Sequence, residues 1–253
     1  MAEQPQRPTP QGFAILYERG PCLVVAKPGG VLTQAPPGID SLEVRIKRYL
    51  KARDHKPGKV YLGIPHRLDR PVSGAMVFAR HVRAARRLAE QFERRTVEKT
   101  YWAVVEGRVC PDRGTWTDWI RKIPDVAQAE IVPHGHPEGR LAVLHYRVLA
   151  HLAGASWLEI TLETGRMHQV RVQAGWRGHP VLGDAQYGST RPFGPRAEDP
   201  RDRWIALHGR SLRFHHPMTG EVVFQVAPLP EPWDAFELSD NTLSAGGSSS
   251  PVP

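Results

Sequence analysis

His66-Arg67-Leu68-Asp69-Arg70, then Pro71-Val72 and Ser73-Gly74, sets one carboxylate among basic side chains between two apolar runs. The run before it, residues 60–65, and the run after it, residues 75–79, both predict buried strand-like segments, with Ser73-Gly74 as the break. An acid with arginines close by stays ionised at neutral pH, which makes Asp69 the leading candidate for a reactive group. The plain alternative is an Asp that opens a turn.

Outward from that stretch, the composition sets the bounds. A chain of 253 residues can bury a sizeable core as one large domain. Its formal charge is +8, so a polyanionic partner such as RNA is plausible, although charge alone does not separate RNA from DNA or a membrane surface. The only cysteines, Cys22 and Cys110, are far apart, which speaks against a disulfide framework and for a reducing, cytoplasmic setting. No segment approaches the roughly 20 apolar residues of a membrane span. The Pro/Gln-rich start and the Gly/Ser-rich end are too polar to order themselves, so residues 1–12 are expected to be a flexible leader and 239–253 a disordered tail.

Between these ends the pattern is mixed. Residues 13–27 predict paired short strands broken at Gly20-Pro21. Ser41 opens a helix whose Leu42, Ile46, Tyr49 and Leu50 repeat at helical spacing. A second amphipathic helix is expected over 81–95, with Val82, Ala85, Leu88, Ala89 and Phe92 on one face and arginines elsewhere. Strand-like segments recur at 100–105, 141–148, 157–162 and 222–226. This is an α+β pattern with neighbouring strands antiparallel, without internal repeats.

Two further clusters carry chemistry. In residues 162–171 a strand ends at Gly165 and a short helix begins, with Met167, Val170 and Ala174 as its inward stripe. Arg166 and Arg171 there are long enough to bridge to a carboxylate or a phosphate. Tyr101 follows the basic helix at the start of a strand, where a phenol can stack on a base or simply pack in the core.

Taken in order, these motifs resemble those of the RluA-type RNA pseudouridine synthases over most of residues 13–236. Ile15-Leu16-Tyr17-Glu18 with Leu23-Val24-Val25-Ala26-Lys27-Pro28 is similar to the family's first motif. The Asp69 stretch resembles the catalytic motif. Thr164-Gly165-Arg166-Met167-His168-Gln169-Val170-Arg171 with Gly178-His179-Pro180-Val181-Leu182-Gly183-Asp184 resembles the third. Departures are Pro71-Val72 and Met167, which leave the charged groups in place.

The resemblance implies a pseudouridine synthase catalytic fold over 13–238, with a mixed, largely antiparallel central sheet flanked by helices and an active-site cleft across it. No separate RNA-binding domain is expected ahead of it. Asp69 would be the catalytic aspartate, Tyr101 the active-site tyrosine and Arg171 the partner of the acid. Arg67 would help hold the target nucleotide out of its helix, and His66, Arg70, Arg166, His168 and Lys27 would join it as RNA contacts.

The implied reaction isomerises specific uridines in rRNA or tRNA: the base detaches at N1, rotates and rejoins through C5. Atoms are conserved, so no cofactor is expected. The carboxylate can attack sugar C1′ or base C6, forming a covalent intermediate. The nucleotide must first flip out, at a cost of a few kcal/mol. RNA is the expected partner, no obligate protein partner is evident, and the protein is expected to act as a monomer.

Rival readings are weaker. A kinase-like catalytic loop needs a downstream Asn, and the only Asn is Asn241, far along the tail. Zinc-dependent deamination needs a Cys pair at short spacing, and neither His134 with His136 nor His215 with His216 has partners at ligand spacing, so no metal is expected. The serious alternative is a non-catalytic RNA-binding or RNA-folding protein on the same scaffold. Within residues 111–139, Trp116, Trp119, Arg121 and Lys122 are candidates for RNA contact, or for ordinary hairpin packing.

Overall fold

The computed structural model describes residues 9–236. Most of the expected leader, residues 1–8, and the whole expected tail, 239–253, lie outside the described residues. In chain order the elements are β1 (Ala14–Arg19), β2 (Cys22–Lys27), α1 (Leu42–Arg53), β3 (Ser73–Ala79), α2 (Val82–Glu93), β4 (Glu98–Glu106), β5 (Arg113–Lys122), β6 (Ala129–Val132), β7 (Arg140–Leu152), β8 (Ala155–Leu162), α3 (Gln169–Trp176), β9 (Leu207–His215) and β10 (Val222–Val226). The α+β expectation holds.

The chain forms two compact units. The first takes the described part of Met1–Tyr101 with Arg196–Trp204 and His208–Leu229. The second takes Trp102–Pro195, Ile205–Leu207 and the described part of Pro230–Pro253.

In the first unit the strand order is β1-β2-β3-β9, and β10 pairs β9. The β1-β2, β2-β3 and β9-β10 ladders are antiparallel, while β3 meets β9 in parallel through Ser73↔His208 and Gly74↔Gly209. Cys22, Val24, Val77, Leu212 and Phe214 form one apolar cluster with Ala84 and Leu88 of α2. That burial, not intrinsic propensity, is what holds a helix this short.

Local signals explain both helices. Ser41 Oγ accepts from Val44 N at 3.3 Å and Leu42, Ile46 and Leu50 are buried, so α1 starts and faces as expected. His81 caps α2 through Nδ1, which accepts from Ala84 N at 3.1 Å. The helix expected over 81–95 stops at Glu93, because Arg95 turns left-handed at φ 58°. Thr96 N then returns to Gln91 O at 3.0 Å, and Arg95 N to Phe92 O at 3.2 Å. These are the two bonds of a Schellman end.

Two expectations around Asp69 need correction. Residues 60–65 are extended but not a strand: they make a single bridge, Gly63↔Ala79, closed by bonds of 2.7 and 3.0 Å. The next hydrogen-bonded pair in that register would join Pro65 to Val77, and proline has no N–H to give. Val77 N donates instead to His66 Nε2 at 3.0 Å, so a side chain takes over where the ladder fails. Nor is Ser73-Gly74 a break. Both residues belong to β3, and a Cβ on Gly74 would lie 2.4 Å from Gly209 N, so the glycine admits the parallel approach of β9.

The second unit is an antiparallel sheet with β8-β7-β5-β6 order, and α3 follows β8. Val170 and Ala174 of α3 are buried as expected, and half-buried Met167 precedes the helix.

Candidate active site

Asp69 sits half-buried in the loop between the extended segment 60–66 and β3, where its carbonyl closes a turn by accepting from Val72 N at 3.1 Å. The peptides on both sides of it are pinned to residues 27–33. Thr33 Oγ1 donates to Leu68 O at 2.8 Å and stands 3.3 Å from Leu68 N, a buried two-way contact. Lys27, only 1 % exposed, donates through Nζ to Arg70 O at 3.1 Å and Pro28 O at 2.8 Å. Arg70 answers with Nε to Gly30 O at 3.0 Å, and its Nη2 pairs with Asp202 at 2.7 Å. Trp204 seats on the same turn, since a Cβ on Gly29 would come within 2.5 Å of its ring. Backbone pinned on both sides of the acid does not have to be ordered when a substrate arrives.

Electrostatics tie three groups together within the first unit. Burial pulls the Lys27 amine down to about 7, while the charge of Asp69 pushes it back up. Burial raises the Tyr101 phenol above its ordinary range and the Asp69 charge raises it further. These opposite effects of one carboxylate, favouring an ammonium and disfavouring a phenolate, put Asp69 within electrostatic reach of both. Tyr101 therefore stays protonated at neutral pH.

The other expected residues fall as follows. Arg67 is exposed beside Asp69. His66 stacks on Phe92 at 4.5 Å with planes 19° apart, and burial drives it down to about 3, so its neutral Nε2 is free to accept from Val77. In the second unit, Arg166 donates through Nε to Leu141 O at 2.9 Å, and His168 Nδ1 meets Tyr187 Oη at 2.8 Å. Arg171 is 4 % exposed and forks onto Asp184 with bonds of 2.7 and 2.9 Å, with Gln186 Oε1 at 2.8 Å and the Tyr187 ring 5.0 Å away. Among the described residues no group of three His, Cys, Asp or Glu side chains could hold a metal ion, and no helix is long and apolar enough to cross a membrane.

Sequence reasoning missed Thr33, Asp202 and Trp204, none of which has a local signature. It also missed the buried Ser73-His208 pair, in which Ser73 Oγ lies 2.8 Å from His208 Nδ1. His208 Nε2 faces Ala227 O at 3.3 Å, so Nε2 carries the proton and Nδ1 accepts from the serine.

Comparison with known proteins decides the lineage. A family model described as RNA pseudouridylate synthase matches residues 21–175. An RNA pseudouridine synthase of Bacillus subtilis is 34% identical over 239 residues, covering 94% of this chain and 75% of its own. The chain belongs to the RNA pseudouridylate synthase family. The ribosomal large subunit pseudouridine synthase D of Neisseria meningitidis serogroup A is 35% identical over 249 residues, 96% of this chain and 65% of that one. A pseudouridine synthase of Synechocystis is 34% identical over 218 residues, 85% and 65% of the two chains. The chain thus spans about two thirds of the length of several curated relatives. Among solved structures, human RNA pseudouridylate synthase domain containing 1 superposes with a TM-score of 0.70 at 24% identity, covering 98% and 99% of the two chains, and so shows the fold.

Proposed function

We propose that the chain isomerises uridines to pseudouridines in structured RNA, with Asp69 as the nucleophile. The observation that carries this reading is the pinning of Asp69 by residues 27–33 in a member of this family: Leu68 and Arg70, its two neighbours, are both tied down, while Asp69 itself stays half-buried and accessible. The carboxylate bonds to C1′ of a flipped-out uridine as the C1′–N1 bond breaks, or adds to C6 before that bond breaks. After the base rotates, C5 bonds to C1′, the ester C–O bond breaks to return the carboxylate, and the C5 proton leaves while N1 takes one up, so nothing is consumed. Tyr101, held protonated, offers a ring face to the everted base and is a poor base for that proton. Arg171 keeps the role the family resemblance gives it, as partner of the acid. His66 and Lys27, expected as RNA contacts, act in this reading as supports of the Asp69 loop, and Arg67 is the exposed residue left to meet the nucleotide. The names of the Neisseria relative and others like it favour ribosomal RNA over transfer RNA as the substrate. The protein is expected to work in the cytoplasm as a monomer without a cofactor.

The test uses transcripts of rRNA and tRNA labelled with tritium at uracil C5. Wild-type protein should release tritium and Asp69→Ala should not. Release that survives Asp69→Ala removes the nucleophile assignment. Binding without release on every transcript favours the non-catalytic RNA-binding reading.

A further inference from the structure

The flank of α1 in the first unit carries a second set of cations that the site around Asp69 does not use. Two cavities border it and share Arg48: one of about 520 Å³ beside Gly38, Asp40 and Arg45, the other of about 580 Å³ lined by Arg48, Lys51, Pro57 and Lys59. Along α1 the two linings run from Val44 to Lys51, about 10 Å of helix, and together make a trough along that flank. Arg48, Lys51 and Lys59 are exposed.

The carboxylates along this trough are already matched. Asp40 is held by Arg45 at 2.6 and 2.8 Å, Glu43 by Lys47 at 2.5 Å, and Asp54 by Arg53 and Arg80 at 2.8 Å each. Among the described residues Arg48, Lys51 and Lys59 belong to no ion pair. The negative end of the helix accounts for Lys51, in the last turn, but not for Arg48, earlier in α1, or Lys59, beyond its end.

Elsewhere some basic side chains are engaged and others are not: Arg83, Arg94 and Arg95 on and after α2 are exposed and outside any ion pair among the described residues, but no cavity adjoins them that compares with the two along α1. On α2, Arg86 pairs with Glu90 and Arg87 donates to Pro217 O. In the second unit Arg121 pairs with Glu130 and Glu138.

We infer that this trough is a phosphate-binding track for the RNA strand flanking the target uridine. The inference rests on the proposed function for its ligand and adds the residues that hold it. Three exposed cations outside any ion pair, around open and partly apolar cavities, fit a polyanion that slides its backbone along the rim. Lys59 also begins the extended segment that leads through Gly63 and His66 to Asp69. Ten residues of chain reach at most about 36 Å and both ends belong to the first unit, so the track and the nucleophile lie within the span of a single RNA stem-loop.

The experiment compares wild type with Arg48→Gln/Lys51→Gln/Lys59→Gln. The control, Arg83→Gln/Arg86→Gln/Arg94→Gln, removes the same charge from α2. Binding is read with a fluorescein-labelled 20-nucleotide oligouridylate from ~0.05 to ~0.3 M salt, and turnover with the tritiated transcripts. Losing three phosphate contacts should weaken binding about 50-fold near ~0.15 M salt and lower the log–log salt slope by about 2. KM should rise with kcat intact, and the control should move far less. Equal weakening in both triple variants would mean net charge alone and overturn the track, as would unchanged affinity and slope in the first. Wild type that binds oligouridylate but releases no tritium from any transcript overturns the proposed function and leaves the track to stand on its binding data.

Discussion

Acid should loosen the first unit through two histidines, and His66 provides the cleaner test. Its folded value of about 3 lies well below the ordinary 6.5, and His208 falls to about 4, both through burial. Each accepts a hydrogen bond that a proton would abolish, His66 from Val77 N and His208 from Ser73. Because the folded pKa is depressed, the unfolded chain takes up the proton first. Stability is full above about pH 6.5 and drains as pH falls toward 4 and then 3. Between pH 7.5 and 5 each histidine then removes about 2 kcal/mol, about 4 together, a large part of a typical domain's 5–15 kcal/mol. His66→Gln keeps an acceptor within reach of Val77 N but cannot take up the proton. It should halve the pH dependence while losing about 1 kcal/mol of stacking on Phe92 at neutral pH. The assay is hydrogen exchange by mass spectrometry on the peptide containing Val77, corrected for intrinsic rates and repeated in urea at pH 7.5, 6 and 5. It reads the first unit alone. Equal losses in wild type and His66→Gln, or protection that does not change with pH, would refute the reasoning.

Three other perturbations have definite outcomes. Gly74→Ala forces a Cβ to 2.4 Å from Gly209 N at a φ of 132°, so it should cost more than about 3 kcal/mol in a urea melt or abolish soluble expression. Breaking the buried Arg171–Asp184 pair by Arg171→Met or Asp184→Leu should each cost about 3–5 kcal/mol, and the double variant much less than their sum. A double-mutant cycle on stability must therefore accompany any activity assay at Arg171. Arg121→Gln should leave oligouridylate affinity within about 2-fold, because Glu130 and Glu138 already neutralise that guanidinium, whereas a larger drop would restore the 111–139 hairpin to the RNA footprint.

What could be read in the chain is what neighbouring residues settle among themselves. The Ser41 cap, the helical spacing of Leu42, Ile46 and Leu50, and the Gly20-Pro21 turn act over four residues or fewer, and each element appears where it was expected. Residues 60–65 were misread because apolar content reports burial and not whether a ladder forms. Pro65 carried the contrary signal, and His66 supplied the missing acceptor eleven residues from Val77. β9 escaped notice because its buried start, His208-Gly209, is polar and small, and makes sense only beside Ser73 and Gly74, 135 residues earlier. The candidate site divides in the same way. Asp69 announces itself among its basic neighbours, but its fixity comes from contacts of Leu68 and Arg70 with Lys27, Gly30 and Thr33, 35 to 43 residues from them, and of Arg70 with Asp202, 132 residues on. A sequence displays the reactive group because chemistry restricts which side chain can do the work. Any donor at the right distance can hold that group still, so the holders leave no local signature, and substitutions at Thr33 or Asp202 should resemble loss of the nucleophile's alignment more than loss of fold.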